Sequence, residues 1–224
     1  MSILPHTGIK YTCEDGSFFH TFTDFALLWM GRDITSPEAK RHIISEVPGI
    51  DSILERTSEM GPTRFYNRTI RDHFIILDKS YNEWESRRER IMNTLHGRRV
   101  RITADTDPLC YWEGFTTVET IKDGAVISEF VISADVFPYK KYLEPLSKSQ
   151  TITDSGTMTI SNKRMPASPV ITASAAMTLV YRGREYALTA GDNAMDFELY
   201  PFDDNTLAFT GSGTVTVTWT GGSL

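Results

Sequence analysis

The chain has 224 residues, 40% of them hydrophobic and 23% charged. That composition excludes a disordered or membrane-embedded chain and leaves room for one large domain or two small ones. With 23 Lys and Arg against 29 Asp and Glu the formal net charge is −6, which argues against a general nucleic-acid binder, since such a protein needs a basic footprint.

The opening, Met1 to His6, lacks a basic stretch followed by an apolar one, so no signal peptide is expected. The longest apolar run, Phe25 to Met30, is too short to span a bilayer. Cys13 and Cys110 are far apart and outside any CxxC spacing, which predicts free thiols in a reducing cytosol. A short helical stretch is conceivable at Pro37 to Lys40, and a corner is expected at Val47-Pro48-Gly49.

Phe65 to Leu77 is rich in β-branched and aromatic residues and reads as a strand. The helix signal concentrates in the segment that follows. Ser80 and Glu83 fit a capping box, Trp84, Ile91, Met92 and Leu95 fall on one face, and Gly97 suits the C-terminal stop. About four turns packed on a sheet are predicted, with Arg87, Arg88, Glu89 and Arg90 on the other face. Arg98 to Thr103 alternates as a strand, and Asp105-Thr106-Asp107-Pro108 reads as a turn whose side chains bond their own backbone. Trp112 to Thr120 and Val126 to Ala134 form a hairpin about Lys122-Asp123-Gly124.

Composition shifts after Tyr142, and Lys141 to Gln150, with Pro145 and a Ser/Lys-rich patch, looks like a linker. Strands are then expected at Thr157–Ile160, Val170–Ala173, Met177–Tyr181, Glu185–Leu188, Asp196–Tyr200, Thr206–Thr210 and Thr214–Thr220, with turns at Arg182-Gly183 and Asp203-Asp204-Asn205. In the last strand Val215, Val217 and Trp219 point one way and the threonines the other, the period-two pattern of a sheet with one buried face. Short strands at this spacing predict a small antiparallel β-sandwich.

Catalytic chemistry finds little support. The five histidines (His6, His20, His42, His73 and His96) show no HxH or HxxxH pairing, and His96 beside Gly97 suits a helix C-terminus. Asp105 and Asp107 lack the further ligands and glycine of a calcium loop. Neither a GxSxG elbow nor a glycine-rich phosphate cradle occurs. The basic cluster Arg87, Arg88, Arg90, Arg98, Arg99 and Arg101 is a solvated face, an ion-pair surface for a neighbouring copy or, least favoured, a contact for nucleic-acid phosphates. Tyr111, Trp112, Tyr181, Tyr200 and Trp219 belong to core or strand pairs more readily than to a sugar platform.

A series of blocks in fixed order carries a resemblance. It runs through Thr23-Asp24-Phe25-Ala26-Leu27-Leu28, Pro37-Glu38-Ala39-Lys40, Val47-Pro48-Gly49, Asn67-Arg68-Thr69-Ile70, Trp84 and Leu95-His96-Gly97. Asp107-Pro108, Tyr111-Trp112 with Gly114, Pro138-Tyr139-Lys140, and the final Gly213 to Trp219 strand complete it. In this order the chain resembles the phage distal tail protein family (Dit), the ring-forming hub of siphophage tail tips. One departure is Ser52 after Asp51, where the family corner carries Gly; at φ > 0 that exchange costs about 1 kcal/mol.

The resemblance implies a mainly β fold with one helix. Residues 1–142 would form a β-rich, ring-forming belt domain, and residues 143–224 a galectin-like antiparallel β-sandwich. It further implies a structural virion protein, not an enzyme, whose homohexamer encircles the tail channel. The implied partners are other copies of the chain, the tail-tube protein, and tail-tip or receptor-binding proteins. DNA would be met only in passage, with no membrane insertion, cofactor, catalytic residue or metal. Synthesis in the host cytoplasm and residence at the virion tail tip follow. Arg87, Arg88, Arg90, Arg98 and Arg99 are the candidate contacts between subunits. The alternative is a carbohydrate-binding or accessory adhesion module of a phage tail or cell surface; an exposed coplanar aromatic pair on the sandwich would favour it, and buried Tyr181 and Trp219 would count against it.

Overall fold

Hydrophobic alternation and turn chemistry assemble the chain into two separate units in the computed structural model, which describes residues 7–40, 44–46, 49, 51, 53–55, 61–77, 81–122 and 127–224. One unit comprises Met1–His42 and Thr63–Lys140, the other Ile43–Pro62 and Lys141–Leu224. The expected features at Val47-Pro48, Ser52, Ser80 and Asp123-Gly124 lie outside the described residues.

The chain begins with the hairpin of β1 (Ile9–Cys13) and β2 (Phe18–His20), then α1 (Thr21–Phe25), β3 (Leu28–Ile34), a hairpin of β4 (Ile44–Glu46) and β5 (Ile53–Glu55), and β6 (Arg68–Leu77). Helix α2 (Tyr81–Leu95) leads into β7 (Arg99–Ala104), β8 (Asp107–Lys122) and β9 (Ile127–Val136). The main sheet of the first unit follows the antiparallel order β2-β1-β7-β8-β9-β6-β3. Along β6 the residues Ile70, Phe74 and Ile76 face inward, as do Val100 and Ile102 of β7, and α2 adds Trp84, Ile91 and Leu95 to the same core. Trp84 meets Phe130 of β9 at 6.4 Å between ring centres. Gly97 takes φ 73°, as a helix-stopping glycine should.

Helix α1 is a second helix that the sequence did not announce. It is only five residues long and depends on capping: His20 Nδ1 accepts the Thr23 N–H at 3.3 Å, the Asp24 carboxylate accepts the His20 N–H at 2.7 Å, and Ala26 closes the end at φ 53°. Pro37 to Lys40 is not helical. It runs extended against Arg64 to Tyr66, where Lys40 N–H donates to the Arg64 carbonyl at 2.8 Å and Tyr66 N–H to that of Glu38 at 2.9 Å.

Beyond Lys140 come β10 (Lys140–Tyr142), β11 (Leu146–Ile152), β12 (Ser155–Asn162), β13 (Val170–Ala173), β14 (Met177–Tyr181), β15 (Arg184–Leu188), β16 (Gly191–Ala194), β17 (Asp203–Thr210), β18 (Gly213–Trp219) and β19 (Gly222–Ser223). Two antiparallel sheets form, β11-β18-β13-β16 and β12-β17-β14-β15. Their inner faces share one core that includes Ile171, Leu179, Leu207, Phe209, Val215 and Val217. Period two holds along β18, with Val215, Val217 and Trp219 inward. Arg182 and Gly183 turn β14 into β15 with φ 50° and 79°.

Three expectations fail here. Lys141 to Gln150 is not a linker throughout: Leu146–Ile152 is an edge strand paired along the whole of β18, and its polar character reflects that exposed edge. Asp196 to Tyr200 forms no strand, while Gly191–Ala194 does, pairing with β13 through a Gly-Asp-Asn-Ala sequence without strand character. Asp203-Asp204-Asn205 starts β17 instead of making a turn, because Asn205 turns inward and the bend falls at Pro201-Phe202.

Candidate functional site

The basic cluster is where the sequence points first, and the structure divides it. On α2, Arg88 pairs with Glu85 at 3.1 Å, Arg90 lies over the Phe25 ring at 5.5 Å, and Arg87 lines a cleft with Asp24, Glu83 and Arg90. Arg98, just before β7, donates to Asp15 at 2.6 Å. Arg99 meets Glu113 at 2.7 Å and Glu14 at 3.6 Å and lies 5.6 Å from the Phe137 ring, while Arg101 lies over Tyr111 at 5.1 Å. A half-open cleft of about 480 Å³ sits here, walled by Arg99 and Arg101 against Glu14 and Glu113. Acids of the same chain therefore already meet Arg88, Arg98 and Arg99. The Ser17 hydroxyl and N–H, followed by Arg98, hold the Asp15 carboxyl down at about 2.

The acidic turn behaves differently from its expected form. Asp105 accepts the Gly8 N–H at 2.7 Å and pairs with His20 at 3.0 Å, and Asp107 pairs with Lys140 at 2.6 Å. Both carboxylates bind other parts of the unit, and they do not converge on one point. Because His20 Nδ1 already accepts the Thr23 N–H, its Nε2 carries the proton given to Asp105. His96 Nδ1 accepts the Val118 N–H at 3.2 Å, so it ties α2 to β8, while the Thr116 hydroxyl donates to the Leu95 carbonyl at the helix end. His73 pairs with Asp33 at 2.9 Å; His6 and His42 lie outside the described residues. Among the described residues no group of three His, Cys, Asp or Glu is placed to hold a metal ion, and no helix is long and apolar enough to cross a membrane.

A buried network went unnoticed in the sequence. Asp72 on β6 is 1% exposed. Arg32 grips it bidentately, Nε to Oδ1 at 2.7 Å and Nη2 to Oδ2 at 2.8 Å, and Trp29 Nε1 and the Tyr11 hydroxyl add donors at 3.2 Å and 3.4 Å. Burial, then the neighbouring Asp72, pushes the Tyr11 phenol well above its ordinary value. A signal did exist: Arg68 and Asp72 occupy the inward parity of β6, where the rest of the strand places Ile70, Phe74 and Ile76. The arrangement fixes β3 and β1 to β6 and leaves no oxygen of Asp72 for chemistry.

In the sandwich Tyr181 and Trp219 belong to the core, while Tyr200 is half-buried and Phe202 exposed. Tyr181 is 4% and Trp219 8% exposed, and Tyr181 packs on Phe197 at 4.4 Å. The Tyr181 hydroxyl donates to Asn205 Oδ1 at 2.6 Å. No sugar platform forms from that pair.

No family model and no curated protein sequence matches the chain. A solved structure does. The Dit protein (gp 19.1) of phage SPP1, described as a paradigm of the hub adsorption apparatus in Gram-positive infecting phages, is similar over 97% of this chain and 99% of its own, with a TM-score of 0.66 at 15% identity. The fold is Dit-like. It is mainly β, with antiparallel sheets and, among the described residues, two helices, and the likeness runs through both units of the chain.

Proposed function

We propose that the chain is a structural phage tail protein of the distal tail type, a hub between tail tube and tail-tip apparatus. The observation that carries this reading is the near-complete mutual coverage of the two chains, 97% and 99%, since a shared module alone would leave one of them partly unmatched. The ordered sequence blocks support it independently, because they are spread from Asp24 to Trp219 instead of clustering in one domain.

In this reading residues 1–142 build a homohexameric ring around the DNA passage, and the sandwich of residues 143–224 faces tail-tip or receptor-binding proteins. Closure of such a ring requires heterologous interfaces, each burying on the order of 2,000 Å². Arg87, Arg88, Arg90, Arg98 and Arg99 are the candidate contacts between subunits, with Arg87 and Arg90 beside a cleft on α2. Residence at the virion tail tip and an absence of catalysis belong to the same reading. The burial of Tyr181 and Trp219 counts against the alternative of a carbohydrate-binding module.

Electron microscopy of the purified chain at high concentration tests the proposal. Closed rings with six-fold symmetry and a central hole are expected. Particles that remain single copies, both alone and with a tail-tube protein from the same source, would remove the ring.

A further inference from the structure

Arg68 opens β6 on the parity shared with Ile70, Asp72, Phe74 and Ile76, and it is 8% exposed. Its guanidinium lies 4.2 Å from the centre of the Trp112 ring. Three buried side-chain nitrogens have no hydrogen-bond partner among the described residues, Arg68 Nε, Trp84 Nε1 and Trp219 Nε1, and only the first belongs to a charged group. Arg68 makes neither a salt bridge nor a side-chain hydrogen bond among the described residues. Burial holds its guanidinium below the usual range.

Asp72, four residues along the same strand, shows what this fold does with a charge that it means to keep to itself: two N–H groups from one arginine, a third from Trp29 and a hydroxyl. Among the described residues Arg68 has only an aromatic face, which offsets part of the cost of burial and gives its guanidinium no hydrogen-bond acceptor. The sealed atom is Nε, so the remaining exposure of the group lies toward its terminal nitrogens, the side from which a planar carboxylate makes two parallel hydrogen bonds.

We propose that Arg68 is an intersubunit site that receives a carboxylate side chain from a neighbouring copy of this chain. The proposal rests on the ring reading above and names a contact for it. Charge complementarity favours a second copy as the occupant: with 29 acidic against 23 basic residues, a copy of this chain has carboxylates in excess of its cations to offer. In a ring of heterologous contacts every subunit's Arg68 meets the same foreign patch, so the same cation is satisfied all the way round. Arg98 and Arg99, already held by Asp15 and Glu113, need no such partner.

The test measures two quantities on the full chain: the concentration at which copies associate, by sedimentation velocity, and the melting temperature of the dilute monomer. Arg68→Met keeps the apolar stem over Trp112 and removes the charge. Its monomer is expected to melt at or above the wild-type temperature, because an uncompensated charge is gone, while self-association weakens at least about tenfold through the loss of a charge-assisted pair. Arg68→Lys, which keeps the charge but not the fork, is expected to fall between the two, and it decides the matter if Arg68→Met does not fold. A variant that assembles at the wild-type concentration overturns the proposal and leaves the ring intact. So does an Arg68→Met monomer that melts clearly lower, since the cation would then be serving its own chain. A wild-type chain that never self-associates removes the ring reading, and the second-copy contact falls with it.

Discussion

The two units bury polar groups by different means. The first takes charge into its interior: Asp72 with Arg32, and Arg68 against Trp112. The second admits neutral amides instead. Asn162 gives its N–H groups to the carbonyls of Met165 and Leu199 at 2.7 Å and 2.9 Å, and Asn205 reaches the carbonyls of Ile160, Tyr200 and Asp203. A neutral network of this kind closes within one chain and one pH range. A charged one is more costly to leave incomplete, and it ties the unit to whatever supplies the opposite charge. The first unit is thus the one whose integrity depends on electrostatic partners, inside the chain and, by the proposal for Arg68, outside it.

The strongest way to break this contrast is Asp72→Ala. It strands Arg32 in a site where its side chain is 12% exposed, and it is expected to cost about 3–5 kcal/mol. Hydrogen exchange read unit by unit should show the loss in β3 and β6, with β12 and β17 unchanged. Adding Arg32→Met should restore a good part of it, because the charge left behind is the main cost. Loss spread evenly over both units would mean that they do not respond separately.

Asn205→Ala is the counterpart in the sandwich. Asn205 Oδ1 accepts from the Tyr181 hydroxyl at 2.6 Å and from the Tyr200 N–H at 2.7 Å, so the substitution leaves a buried donor and several carbonyls unmet. About 2–3 kcal/mol is expected, with the same cost at pH 4 and pH 7, since no charge is lost with the amide. Thermal unfolding at the two pH values checks this, and a cost that changes between them would show that charge enters the network.

Two glycines sharpen the comparison at the level of backbone packing. A Cβ at Gly114 of β8 would stand 2.0 Å from the Asp135 carbonyl oxygen and 2.6 Å from Val136 Cα, both backbone atoms of β9. At Gly156 of β12 the nearest atom is the tip of the Ile152 side chain, at 2.9 Å, which can rotate away. Gly114→Ala is therefore expected to cost about 1–3 kcal/mol, and Gly156→Ala less than about 1 kcal/mol. Equal effects in chemical denaturation would show that the strands of the first sheet move apart more readily than their spacing suggests.

The sequence was most legible where a single periodicity governs burial. Helix α2 was readable because Trp84, Ile91 and Leu95 recur at helical spacing and Gly97 ends the run, and β18 because valine and threonine alternate without a break. Legibility failed where tertiary partners overrule local preference. Leu146 to Ile152 reads as a solvated linker because an edge strand needs no apolar outer face, and its pairing with β18 cannot be seen in its own residues. Asp203 to Asn205 carries turn chemistry, yet Asn205 is drawn inward by Tyr181 and Tyr200. The basic cluster divides in the structure for a related reason. Adjacency in sequence suggested one surface, but the acids that claim Arg98 and Arg99, at Glu14, Asp15 and Glu113, come from β8 and the turn after β1. The informative charges, Arg68 and Asp72, were marked by their parity in β6 and not by clustering.

The smallest effect expected is at the surface of the first unit, at Asp15. Its carboxyl falls from 3.8 to about 2, first through the Ser17 hydroxyl, then the Ser17 N–H, then Arg98. A depressed carboxylate stabilises the fold above its unfolded-state value, and that contribution disappears as the pH drops through the window from 3.8 to about 2. Asp15→Asn should accordingly flatten the loss of stability across that window and change little at neutral pH. Since the hydroxyl contributes more than the guanidinium, Ser17→Ala should raise the Asp15 titration, followed by NMR, further than Arg98→Gln does. The reverse order would place the Arg98 ion pair in control of this turn, and would extend the dependence of the first unit on paired charge from its core to its rim.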